Sequence, residues 1–225
     1  VQTCALPISV LEASTAYTAG GIYPSLVGNL DFGIPLPIKH TSIWLRSAIG
    51  KNFSNELNPF TRYGFAAFGN NYIDSWNSKQ YRGTYAFPGL TYTDNVYIES
   101  RDFGKLMLDV LLPPIRYKKL GFFNLFANWT QASLFTSILY SQDYNEGGHP
   151  RNLKYLNPFT PPPAGTSWDD KMWTDTYVNF GAQIDTRIVL FSLLPSTISI
   201  GMARAYDMDS KAPFDEFMIS LKLLN

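Results

Sequence analysis

The residues best suited to a defined interaction lie in the stretch Gln80 to Gly89, QYRGTYAFPG. A single arginine, Arg82, stands among Gly83, Tyr85, Phe87 and Gly89. A guanidinium among aromatics is costly to withdraw from water unless acceptors meet it. Glycine permits backbone turns that other residues resist, which is the expected use of Gly83 and Gly89. The chemistry on offer is therefore ion pairing and packing, not bond making. No Gly-x-Ser-x-Gly elbow, phosphate loop or Ser/His/Asp set is present, and the chain is not expected to be an enzyme. The two histidines, His40 and His149, fall on opposite sides of the expected topology and suggest no metal site. The acidic pair Asp169 and Asp170 supplies too few oxygens for a hard cation, which needs about six or more. No cofactor is expected.

The elements that must position Arg82 read as strands. Period-two alternation recurs in seven segments. Leu26, Leu30, Phe32, Ile34 and Leu36 oppose Asn29 and Asp31. Ile43, Leu45 and Ile49 oppose Arg46. Ile98, Leu106, Leu108 and Val110 oppose Glu99, Arg101, Lys105 and Asp109. Leu125, Ala127, Trp129 and Phe135 oppose Asn128 and Thr130. Val178, Phe180, Ile184 and Ile188 oppose Gln183, Asp185 and Arg187. Ile200 and Met202 oppose Ser199 and Gly201. Phe217, Ile219 and Leu221 oppose Ser220 and Lys222. An eighth, weaker strand lies in LEASTAYTAGG. No segment reads as a helix.

Composition narrows the class. The chain has 225 residues, zero formal net charge, 16 % aromatic and 16 % charged residues. Charge balance gives no sign of a nucleic-acid partner. No apolar run reaches the ~18 residues of a membrane helix. The strands are long and their polar faces carry glycines and both signs of charge. Short proline-marked turns (PLPIKH, PPIRYKKLG, LLPST) alternate with long connections at 51–95, 141–173 and 207–213. That is the pattern of an outer-membrane barrel, apolar outward to lipid and polar inward. A soluble β-sandwich has the same alternation with the faces exchanged. The expected class is all-β: an antiparallel transmembrane β-barrel, here a partial barrel of seven or eight long strands with a long inward-folded loop. The opening VQTCALPI reads as a translated sequencing adapter, so Val1–Ile8 are expected to be artefact. Residues 9–225 are expected to be the C-terminal part of the barrel domain, its N-terminal part missing.

From Leu26 onward the order of parts resembles the bacterial surface antigen superfamily of outer-membrane barrels. These are the BamA-like insertases and the transporters of two-partner secretion. LDFGIPLP and TSIWLRSAIG are followed by a long loop with RGTY, then LMLDVLLPPI, LFANWTQ and three strands. The likeness is greatest to members whose barrel follows a periplasmic propeller of the TolB kind. The family's loop folds into the barrel, so the resemblance implies that Arg82 enters the lumen. Its partners by position are Asp109 and Asn128, with Asp185 and Glu99 as further lumenal candidates. Tyr85 and Phe87 would pack on the lumen wall. The loop aromatic is one residue late, and Asn128 and Thr130 stand where the family has an acid and a glycine. Seven or eight strands are also too few for the family's sixteen.

The resemblance implies a bacterial outer-membrane location and a role in outer-membrane protein assembly or polypeptide translocation. The implied partners are outer-membrane lipid, unfolded outer-membrane or secreted polypeptides, and a missing N-terminal periplasmic domain. The alternatives are a passive pore or anchor barrel and the soluble β-sandwich binding module.

Overall fold

A computed structural model describes residues 7–18, 21–53, 62–65, 68, 79–90, 98–122, 125–145, 171–191, 194–208 and 213–223. Asp169, Asp170, His149 and residues 1–6 lie outside them. Among the described residues the chain is nearly all antiparallel β-structure, with one short 3₁₀ turn at Gln80–Arg82 and no α-helix. The strands are β1 (Ile8–Thr18), β2 (Gly21–Pro35), β3 (Ser42–Asn52), β4 (Tyr63–Phe65), β5 (Ile98–Ser100), β6 (Asp102–Leu111), β7 (Ile115–Phe122), β8 (Leu125–Asn145), β9 (Lys171–Leu190), β10 (Leu194–Asp207) and β11 (Pro213–Leu223).

Nine strands form one sheet in the order β1-β2-β3-β6-β8-β9-β10-β11, with β7 paired to β8 alone. The sheet is not closed, so β1 and β11 are edges. Sequential neighbours pair because short connections favour antiparallel hairpins. β4 and β5 make a separate two-stranded sheet. The weak eighth strand is therefore present as β1, against β2 from Ile8↔Asp31 to Thr18↔Gly21. β8 and β9 are the longest strands, and Asn145↔Lys171 lies three residues beyond Gln142, where β6 last pairs with β8.

The structure departs from the alternation pattern in three places. PPIRYKKLG contains a strand, β7, instead of being all turn. The run containing Ile98 and Leu108 is split, and Ile98 is buried in the β4–β5 pair. β8 slips register between Ala127 and Trp129. A bulge inserts one unpaired residue, and with a side-chain period of two everything beyond it changes face. Phe135 thus points to the same side as Ser133 and Ser137 and is buried, not outward with Leu125.

Elsewhere the two faces separate as the alternation predicts, except that Ile188, expected outward with Ile184, is buried. Leu108, Ile184 and Ile219 are 42 %, 48 % and 49 % exposed, whereas Asp109 and Asp185 are 0 % and 1 % exposed. The apolar face is uncovered and the polar face is the interior. The interior is filled by residues 79–90, flanked by Tyr63, Phe65 and Phe68. Thr84 bonds Asn29 on β2 and Gly89 bonds Glu216 on β11. One short segment thus meets both β2 and β11, six positions apart in the sheet order, and its two ends, Lys79 and Pro88, both meet β9. The sheet curls around the segment.

Several glycines of the interior face are explained by aromatic rings lying over them. A Cβ on Gly33 would sit 2.7 Å from the Trp44 ring, one on Gly50 2.1 Å from Phe103 and one on Gly181 2.5 Å from Phe135. Each is a cross-strand pair, in which the ring covers backbone that a glycine leaves bare. Gly104 differs: a Cβ there would meet nothing within 4 Å, and its φ is not positive. We expect Gly50→Ala to destabilise the chain by about 1–3 kcal/mol through displacement of Phe103. Gly104→Ala should change stability by no more than about 0.5 kcal/mol. Equilibrium urea unfolding followed by circular dichroism distinguishes them.

Candidate functional site

The interior segment is held by buried charges from three strands, β6, β9 and β11. Arg82 Nη2 lies 2.6 Å from Asp109 Oδ2 on β6. The contact is not aligned for a hydrogen bond, so its attraction is Coulombic. Tyr81 donates its hydroxyl to Asp109 Oδ1 at 2.9 Å, and its ring stacks on Phe135 at 4.3 Å. Burial pushes the Tyr81 phenol well above its usual range, which keeps it a donor. Arg46 on β3 stands between two acids, bonded to Asp31 and 3.7 Å from Asp109. Asp109 thus faces two guanidiniums and a phenol, as a fully buried carboxylate requires.

A second acid serves the start of the segment. Lys79 Nζ lies 2.8 Å from Asp185 Oδ2 on β9. The other carboxylate oxygen accepts from Gln183 Nε2 and Ser199 Oγ, both at 2.6 Å. Burial lowers the Lys79 ammonium from its ordinary value, and Asp185 opposes that shift.

The turn itself is held by an ammonium. Lys105 Nζ on β6 donates to Gly83 O at 2.7 Å, to Thr84 O at 3.4 Å and to Ala86 O. Three carbonyls match its three donors. The exit of the segment is fixed on the other side. Asn179 Nδ2 donates to Pro88 O at 2.7 Å. Glu216 on β11 accepts from Gly89 N at 2.7 Å and from Phe68 N at 2.9 Å. Gly89 has φ +101, and a Cβ there would lie 2.6 Å from Ala205 N. Both the conformation and the close approach require glycine.

The residues singled out from sequence divide clearly. Arg82, Asp109 and Asp185 enter one interior network. Asn128 does not: it is the extra residue at the β8 bulge and is exposed. Glu99 lies on β5, its backbone opposite Gly64 in the separate two-stranded sheet; its side chain is outside the described set. Phe87 is buried, 6.5 Å from the Tyr177 ring. Tyr85 is 40 % exposed and stacks on Tyr63, with an edge contact to Phe103. Gly83 has φ −56, so it is not a left-handed turn residue. Its crowding is against Gln80 O, 3.3 Å from where a Cβ would stand.

Lys79, Tyr81, Lys105, Asn179 and Glu216 were not among the candidate site residues. Strand parity carries a signal for three of them, since Lys105, Asn179 and Glu216 share faces with Asp109, Asp185 and Ser220. Lys79 and Tyr81 carried only their nearness to Arg82.

A polar cavity of about 180 Å³ adjoins the network, lined in part by Asn29, Asp31, Arg46, Arg82, Thr84 and Lys105. Among the described residues no group of three or more His, Cys, Asp or Glu side chains could hold a metal. No helix among them is long and apolar enough to cross a membrane, which says nothing of strands. No protein-family model, curated protein or solved structure matches this chain.

Removing one partner of a buried ion pair costs about 3–5 kcal/mol. Asp109→Asn is expected to destabilise by about 3 kcal/mol, within that range, and Tyr81→Phe by about 1 kcal/mol. Because the two groups share one carboxylate, the double variant should lose less than the sum. A double-mutant cycle in urea reads the coupling.

Proposed function

We propose that this chain forms the wall of a bacterial outer-membrane β-barrel whose work is polypeptide handling: inserting or translocating an extended chain. The reading rests on one observation. Apolar residues such as Leu108, Ile184 and Ile219 are exposed around a buried, charged interior. In water that arrangement is unfavourable at about 25 cal/mol per Å² of apolar surface left uncovered. In hydrocarbon it is the stable one, provided every interior charge is paired. Arg82, Lys79 and Asp109 meet that condition by ion pairing, and Lys105 is compensated by three backbone carbonyls.

A β-sandwich would bury its apolar face against a second sheet. Among the described residues no second sheet covers that face. A passive pore would need an open interior, whereas the 79–90 segment occupies this one. The free edges β1 and β11 offer unpaired backbone groups to an incoming strand. A client polypeptide would bind there by main-chain hydrogen bonding, with its apolar side chains turned outward. The interior segment would hold the curl of the sheet while the edge is in use. No covalent step is required.

The test is reconstitution of the chain into phospholipid vesicles beside dilution into detergent-free buffer. The chain is expected to float with vesicles and to aggregate in buffer. In the bilayer Ile184→Arg should cost about 2–4 kcal/mol, whereas on a water-exposed face it would be near neutral. A folded, monomeric chain in buffer that ignores vesicles and tolerates Ile184→Arg would overturn the membrane reading.

A further inference from the structure

Among the described residues the edge strand β11 pairs through its backbone on one side only, with β10, from Ser196↔Leu223 to Tyr206↔Pro213. Its second restraint comes from the interior. Glu216 points inward and is nearly fully buried. Its two carboxylate oxygens accept two backbone N–H groups from residues far apart in sequence, Phe68 and Gly89. Charge-assisted bonds of this kind are about twice as strong as neutral ones. The same two residues pack on β10, the strand beside β11. The Phe68 ring lies over Gly201, where a Cβ would stand 2.9 Å away, and Gly89 lies on the backbone of Arg204 and Ala205.

Seven residues before Gly89, Arg82 holds Asp109 on β6, four strands from β11 in the sheet order. Between them Lys105 fixes the turn through its carbonyls and Asn179 holds Pro88. The path from β6 to β11 across the interior is thus bonded at each end and in the middle.

We propose that Glu216 is the clasp through which the interior segment restrains the edge strand β11, so that withdrawal of the segment and loosening of the edge are one event. Releasing Arg82 and Tyr81 from Asp109 loosens the far end of the segment, which Lys79 still ties to Asp185. The N–H of Gly89, on that segment, then leaves Glu216, whose under-compensated buried carboxylate disfavours the docked position of β11. The inference deepens the edge role given above by supplying its control, and it rests on that role for its purpose. The coupling is measurable without any client polypeptide, so the two ideas fail separately.

The experiment is amide hydrogen–deuterium exchange with mass spectrometry on the full 225-residue chain, in whichever of buffer or detergent micelles keeps it folded by near-ultraviolet circular dichroism. Three variants are compared with the unaltered chain. Glu216→Gln weakens the clasp, because one of the two accepting oxygens becomes an amide nitrogen, which donates and cannot accept an N–H. Gly89→Ala displaces the segment from β10 without touching a charge, and serves if the first variant folds poorly. Asp109→Asn loosens the far end. Each is expected to raise exchange in β11 by about tenfold or more, the scale of one lost charge-assisted bond. Exchange in β2 and β3 should stay within about twofold, as expected for a sub-global opening. Faster exchange of the segment with β11 unchanged would overturn the coupling. So would an equal rise in every strand, or an effect of Glu216→Gln and Gly89→Ala that Asp109→Asn does not share.

Discussion

A buried carboxylate with no compensating charge is among the least tolerable things a fold can contain. Asp109 sits at the centre of this one with no exposure to solvent. Much of the interior can be understood as its consequence. Its two oxygens receive Arg82, Tyr81 and the more distant Arg46. Arg82 and Tyr81 lie in a 3₁₀ turn outside the strands, so meeting Asp109 draws that segment inside. Once inside, the segment brings its own polar backbone, and that backbone must be satisfied. Lys105, Asn179 and Glu216 meet carbonyls and N–H groups that bulk water would otherwise serve.

The curl of the sheet follows from the same requirement. Partners for residues 79–89 come from β2, β6, β8, β9 and β11. A flat sheet could not offer them to so short a segment. The glycines beneath Trp44, Phe103 and Phe135 make the inward face shallow enough for the segment to lie close. Packing and charge pairing therefore cooperate: small residues give room, and acids and lysines fix what occupies it.

Much of this was legible in the chain because alternation is a local signal. The strand faces around Leu108/Asp109 and Ile184/Asp185 can be read by counting in twos, and the weak alternation of LEASTAYTAGG still marked a strand. What could not be counted was the bulge at Asn128. One extra residue inverts the faces of β8, so Phe135 moved inside and Asn128 left the interior. β7 was missed because its short pairing with β8 depends on where β6 stops, which is not a local property. The pairing of Arg82 with Asp109 came from the order of parts in a resembling family. Lys105 was placed on the interior face, yet its engagement with three carbonyls of a turn about twenty residues upstream has no linear signature. Glu216 illustrates the same gap: parity turns it inward, but only the folded segment supplies the two N–H groups.

The unequal strand lengths have a consequence for what lies beyond the sheet's neighbours. β9 has 20 residues, about 66 Å at 3.3 Å per residue. Tilted by about 45°, it would rise some 47 Å, well over the ~30 Å hydrocarbon thickness of a bilayer. At their distal ends β8 and β9 pair with each other past the last partner of β6. In a membrane this two-stranded mast would stand clear of the lipid on one side only. It would carry the wall's backbone pairing past the hydrocarbon into the aqueous phase.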